Sequence, residues 1–268
     1  MFQTRVLMML NLKTIVFSGL FSGALLAASV SFNTANAETI FKPKAVVELF
    51  TSQGCSSCPP ADKVLGALVD EGDVLALSLP VDYWDYLGWP DTLGKAEHSE
   101  RQRNYARGRK DRNVYTPQAV INGMVHVVGS RRPAIDSTIS SMKSELGQET
   151  SLPVDINLVK GSTTLSIEVG SGDPVAEETT LWLIFYDSEH EVAIERGENR
   201  GETITYHNVV RSMRAIGMWK GDKMEVSLPL SEMSKNGQDN CAVILQSSSN
   251  GHPGRILGAA RISGLASS

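Results

Sequence analysis

Cysteine is scarce in this chain of 268 residues: there are three, Cys55, Cys58 and Cys241, too few and too unevenly spread for a disulfide scaffold. No second Cys-x-x-Cys and no histidine pair at metal-ligand spacing accompanies them, so a closed four-ligand zinc site has no donor set. The histidines His98, His126, His190, His207 and His252 are scattered. Net positive charge is also missing. The formal charge is -5, which is not a nucleic-acid binder's balance. After the first 37 residues no run is apolar enough to span a bilayer, and the chain has no internal repeat or low-complexity tract.

What is present begins with an address. Arg5 and Lys13 form a positive leader, Ile15 to Val30 is largely apolar, and Ala35-Asn36-Ala37 gives the small-x-small pattern of a cleavage site. Residues 1–37 therefore read as a signal peptide, and the mature chain as starting at Glu38, in the periplasm or secreted. The apolar stretch is short, is interrupted by Ser18, Gly19, Ser22 and Gly23, and lacks a charged stop, which argues against a stable membrane span. Cleavage removes two cations and no acid, leaving a more acidic protein. Outside the cytosol, thiols meet oxidants and can hold disulfides.

From Ala45 to Leu146 strand-like and helix-like patterns alternate. Ala45 to Phe50 is a mostly apolar run, as in a strand covered on both faces. Ala61, Val64, Leu65 and Leu68 recur at i, i+3, i+4 and i+7, one stripe along a helix, and Val74 to Val81 is the next strand. A polar passage to Tyr115 holds Tyr83, Trp84, Tyr86 and Trp89 in a loop and a predicted helix from about Leu93 to Arg107. Ala119 to Ile121, the turn pair Asn122-Gly123 and Val125 to Val128 form the clearest hairpin. A last helix carries Ile135, Ile139, Met142 and Leu146 on one face, with Pro133 in its first turn.

Beyond Leu146 the texture becomes short strands separated by turn residues: Val154 to Leu158, Leu165 to Val169, Thr180 to Tyr186, Val192 to Glu195, Thr203 to Val210, Met224 to Leu228 and Cys241 to Gln246. Such spacing suggests an all-β sandwich or barrel. The expected organisation is an α/β domain over 38–149, its central mixed sheet flanked by helices, and a mostly β, sandwich-like domain over 150–268.

The chemistry concentrates in "ELFTSQGCSSCPPAD", residues 48–62. A thiolate is the reactive form of cysteine, and the free N–H groups and positive dipole end of a helix stabilise it. Cys55 lies just ahead of the helix that begins by Pro60 and is the expected attacking thiol. Cys58 would face it across the first turn and resolve a mixed disulfide. Pro59 and Pro60 stiffen that turn at positions where an N–H has no helical partner.

Tyr115-Thr116-Pro117-Gln118 comes directly before the hairpin. With that, the order of strand, Cys-x-x-Cys at a helix start, helix, strand, helix, Thr-Pro, hairpin and helix resembles the thioredoxin fold. The resemblance implies that Pro117 is cis, that Thr116 offers backbone hydrogen bonds to an extended client chain, and that Glu48 approximates the buried acid managing Cys58's proton. Two departures stand out. Ser56-Ser57 leaves the redox potential open, and Glu48 is one residue farther from Cys55 than that acid. More narrowly, "ELFTSQGCSSCPPAD", "VDYWDYLGW", "YTPQAVING", "ERGENRG" and "MWKGD" resemble the secreted bacterial thioredoxin-like family of unknown function numbered 1223. That likeness implies a fold and a compartment but no substrate.

The leading expectation is thus a thiol-disulfide oxidoreductase acting on client protein thiols or disulfides, with an unidentified redox partner and no dissociable cofactor. Two others stay open. One is a binding module whose cysteines form a fixed disulfide, which would close so small a loop that it stabilises little. The other is a copper carrier, for which His126 would have to approach the pair. Cys241 reads as a buried inert thiol, or as an exchange partner of the pair. The basic run Arg101, Arg103, Arg107, Arg109, Lys110 and Arg112 reads as solvated helix surface, supported by the Glu97 to Arg101 spacing, or as partly reaching the site. The four aromatics from Tyr83 to Trp89 read as core, or as the wall of a client groove. "IERGENRG", residues 194–201, reads as an ordered surface turn.

Overall fold

The computed structural model describes residues 39–111, 113–173, 178–233 and 240–263; the expected signal peptide and Arg112 lie outside them. The run at 45–50 does form a strand, β2 (Val46–Thr51), and every residue of it is buried. Burial of so apolar a strand follows from cover on both sides, each large side chain contributing about 1.5–3 kcal/mol. Val47 and Leu49 face helices α1 (Pro59–Glu71) and α3 (Arg132–Leu146), while Val46 and Phe50 face helix α2 (Ala96–Arg109) through Tyr105. Because alternate residues point to opposite faces, Glu48 goes with Val46 and Phe50, and Thr51 goes with the α1 side.

β2 sits in a mixed sheet between the parallel strand β3 (Leu75–Pro80) and the antiparallel strand β4 (Gln118–Ile121), which continues to β5 (Val125–Val128). The β4–β5 turn is three residues rather than the expected two. Asn122 and Gly123 both take positive φ, and Met124 donates its N–H back to Ile121.

The later strands join this sheet instead of standing apart. Its order is β1-β12-β11-β8-β9-β3-β2-β4-β5, with β1 Thr39–Phe41, β8 Glu178–Ala193, β9 Thr203–Trp219, β11 Asn240–Ser249 and β12 His252–Ser263. The seam is the parallel pairing of β9 with β3 at Ser78 and Val209, reinforced by the Asn208 amide donating to the Ala76 carbonyl at 2.9 Å. A second sheet, β6 (Ile156–Lys160), β7 (Thr164–Val169) and β10 (Met224–Pro229), with the single-turn helix α4 (Leu230–Met233), closes a core over β8, β11 and β12. Ile156, Leu158, Leu165, Ile167 and Val169 fill it from one side, and Leu181, Leu183, Phe185, Val243, Leu245 and Ile262 from the other. Cys241 is fully buried there, and burial pushes its thiol pKa up to about 12.

β8 and β9 are far longer than the short runs at 180–186 and 203–210 suggest. Their outer halves pair from Asp187 with Val209 to Ala193 with Thr203, forming an antiparallel arm that ends in the loop 194–202. Gly66 lets α1 lie against this arm, since a Cβ there would come within 2.8 Å of the His207 ring. No helix of the described residues is long and apolar enough to cross a membrane.

Candidate functional site

Cys55 and Cys58 are joined in a disulfide at the amino end of α1. Cys58 is the N-cap position: its carbonyl accepts from Ala61 at 2.8 Å and from Asp62 at 3.1 Å, closing the first turn. Prolines at the first two helical positions spend no unpaired N–H there. Cys55 keeps 4% of its surface exposed and Cys58 none, so an incoming sulfur reaches Cys55 first. Ser56 and Ser57 are exposed between them, and the Ser57 hydroxyl lies 3.4 Å from the Cys55 sulfur.

The loop before the pair is built from its own polar groups. Cys55 N–H donates to the Ser52 carbonyl, Gly54 N–H to the Ser52 hydroxyl, and Gln53 N–H to Asp91 at 2.8 Å. Trp89 donates its indole N–H to the Gln53 side chain at 2.8 Å.

Thr116 and Pro117 approach through Trp84. The Trp84 indole donates to the Thr116 hydroxyl at 2.8 Å, and its Cβ lies 3.1 Å from where a Cβ on Gly54 would be. Pro117 is buried, its peptide bond with Thr116 is cis, and its carbonyl accepts from Gly129 N–H at 3.0 Å. Gly129 in turn sits between Pro117 and Ala61 of α1. Trp84 also stacks on Tyr86, which is 76% exposed, so an aromatic surface flanks the disulfide loop.

Glu48 is placed elsewhere. Both of its oxygens are held by Arg101, at 2.6 and 3.1 Å, and Tyr105 donates its hydroxyl to it as well. Arg101 also donates to the Gln246 side chain at 3.0 Å. This largely buried network lies on the α2 face of the sheet, whereas the disulfide helix lies on the other. Arg101 pairs with Glu48 rather than with Glu97, because a buried carboxylate recruits the nearest cation far more strongly than an exposed one does. Elsewhere in the basic run, Arg103 and Arg107 pair with Glu100, and Arg109 pairs with Asp111. A cleft of about 610 Å³ opens on this same face, between α2 and strands β8, β9 and β11, and holds neither cysteine.

His126 does not meet the cysteines in any hydrogen bond or ion pair among the described residues; its ring lies 2.8 Å from the Tyr115 hydroxyl and 3.5 Å from Asp111. No group of three His, Cys, Asp or Glu side chains among the described residues is arranged to hold a metal ion.

Residues from the far end of the chain complete the site. The loop 194–202 folds back over the disulfide: Glu198 accepts from the Ser56 N–H at 3.2 Å, and the buried Asn199 amide donates to the carbonyls of Gln53 and Cys55 at 2.8 and 3.0 Å. Gly197 takes a φ of 81°, and a Cβ there would lie 3.1 Å from Trp89. Only the mixture of charge and glycine in this stretch marks it in the sequence.

Asn199→Ala removes both amide donors from buried carbonyls, a loss of about 1–3 kcal/mol. The variant is expected to melt earlier in a thermal scan. Its disulfide is also expected to be reduced several-fold faster by dithiothreitol, as counted by thiol alkylation.

The sequence matches, over residues 46–246, the family model described as "Protein of unknown function (DUF1223)". An X-ray crystal structure of an Agrobacterium tumefaciens protein is similar at 37% identity and TM-score 0.74, over 84% of this chain and 96% of that one. A Kluyveromyces marxianus beta-glucosidase aligns at 11% identity and TM-score 0.19, over 45% of this chain and 16% of that one, and carries no argument. No curated protein matches the chain.

Proposed function

We propose that this chain, which belongs to the DUF1223 family, is a thioredoxin-like thiol-disulfide oxidoreductase that works on protein clients outside the cytosol. The carrying observation is the disulfide at the amino end of α1 with Cys55 alone of the pair reaching the surface. The dipole of the helix and the Ser57 hydroxyl, 3.4 Å from the Cys55 sulfur, lower the cost of a thiolate at that position, which makes it the better attacking and leaving sulfur.

In the oxidised protein a client thiolate attacks the Cys55 sulfur. A bond forms between client and Cys55, the Cys55–Cys58 bond breaks, and Cys58 departs with the electron pair. A second client thiolate then attacks the mixed disulfide, releasing an oxidised client and leaving the protein reduced by two electrons. Run backwards, the same steps reduce a client disulfide. Thr116 and the exposed Tyr86, tied together by Trp84, offer the client a polar edge and an aromatic face beside the sulfur.

The clamp of Glu198 and Asn199 is the one observation that favours the other reading, a binding module with a fixed disulfide. Redox turnover separates the two. The oxidised protein is incubated with a reduced, unfolded client, and the thiols on each are counted by alkylation. Loss of two client thiols for each two gained by the protein supports exchange; a disulfide that survives with no thiol gained supports the module.

A further inference from the structure

Asp62 follows Cys58 by one helical turn, and its backbone N–H donates to the Cys58 carbonyl at 3.1 Å. Side chains on a helix lean toward its amino end, so the Asp62 carboxyl leans toward the turn that carries the disulfide. It is 2% exposed, and neither carboxyl oxygen has a hydrogen-bond partner among the described residues. An acid left buried and unpaired is costly and needs a reason.

Its surroundings are polar but equally unpaired. The hydroxyls of Thr51, at the end of β2, and Tyr206, on β9, are buried without partners. The titratable groups around it are Asp91 from the loop before α2, Tyr206 of β9 and, one turn farther along α1 at Gly66, His207 of β9; its neighbour Lys63 is exposed. None is a cation that pairs with the carboxyl. Burial therefore pushes the Asp62 pKa from 3.8 up to about 8, against a lowering by the Thr51 hydroxyl, which faces the carboxyl from beyond hydrogen-bond distance, and with a further rise from Asp91. Burial, then the negative Asp62 and Asp91, also hold the Tyr206 phenol above its ordinary range.

We propose that Asp62 is the proton exchanger of Cys58. When a client thiolate bonds to Cys55 and expels Cys58 with its electron pair, Asp62 gives that sulfur its proton, directly or through one water. When Cys58 returns to attack the mixed disulfide, it hands the proton back to the Asp62 carboxylate, and the client leaves as a thiolate. The buried sulfur then never has to carry a full charge in a low-dielectric setting. This role rests on the redox reading above and assigns it an acid on α1 in place of Glu48.

The sign of the pH effect follows. Between 3.8 and about 8 the folded chain keeps a proton that the unfolded chain loses, so stability falls as pH rises through that window. Asp62→Asn removes that fall.

The test follows reduction of the oxidised protein by dithiothreitol, with rates divided by the reagent's thiolate fraction. For the wild type the corrected rate is expected to drop about tenfold per pH unit above the Asp62 titration. Asp62→Asn is expected to be about 100-fold slower at neutral pH and flat across the range. Infrared spectra of the oxidised wild type should show the carbonyl stretch of a protonated carboxylic acid at neutral pH, absent from Asp62→Asn. An unchanged rate and pH profile in a folded Asp62→Asn protein overturns this proposal alone. So does the absence of that band, even if the variant fails to fold. A wild-type disulfide that dithiothreitol does not open overturns the redox reading and this proposal together.

Discussion

Cys55→Ser is expected to abolish disulfide exchange, lowering turnover on a protein client by about 1,000-fold or more. No other accessible cysteine exists among the described residues to replace it, because Cys58 is fully buried and Cys241 is sealed in the core between the two sheets. Cys58→Ser should behave differently. Its Cys55 still attacks, but the mixed disulfide has no internal thiol to resolve it, so covalent adducts accumulate and are visible as a mass shift on non-reducing gels. Full turnover by Cys55→Ser would end the mechanism. The pair of variants also separates attack from resolution, which a single substitution cannot.

Arg101→Met is expected to have the largest effect on stability. Arg101 is the cation that neutralises Glu48, a side chain 1% exposed, and removing it leaves a buried carboxylate held only by Tyr105. Breaking such a pair from one side costs about 3–5 kcal/mol. For a chain of this size that corresponds to a fall in melting temperature of roughly 10 °C. Replacing both partners, as Glu48→Leu with Arg101→Met, should recover most of the loss, since the penalty lies in the orphaned charge. Exchange by the folded fraction of either variant should keep the wild-type pH profile, because Glu48 lies on the sheet face away from α1. A pH profile that moves with Glu48 would return that residue to the chemistry.

Much of the first half was legible because its signals are local. The apolar run of β2, the apolar stripe of α1, and Asn122-Gly123 each answer to their own neighbours, and the structure puts strands and helices there. Glu48 was harder. Strand alternation assigns it to one face with Val46 and Phe50, but which face α1 would cover is decided by the crossover to β3, and sequence spacing does not state that. The cation that claims Glu48, Arg101, lies 53 positions away.

The second half hid more. Short runs at 180–186 and 203–210 marked one half of β8 and the arm half of β9, while 187–191 is polar and 211–219 mixes polar and apolar residues without a run to read. β12 was missed for a related reason, as Pro253, Gly254 and Gly258 interrupt any strand period. The contact from Glu198 to Ser56 spans 142 positions and uses a backbone N–H, which every residue but proline carries. Asp62, by contrast, was in plain view one turn after Cys58, and its chemistry became apparent only once β9 was seen to bury it.

The way β9 lies along β3 has a consequence for anyone who would shorten this protein. Cut after Gly147, the front portion would keep both sulfurs yet lose the strand beside β3, leaving a raw row of amides and carbonyls open to any passing copy, the usual beginning of a precipitate. It would also lose the lid of Asn199 and the wall of Tyr206. The portion that carries the disulfide borrows its border, its roof and one side of the Asp62 chamber from the half that follows it.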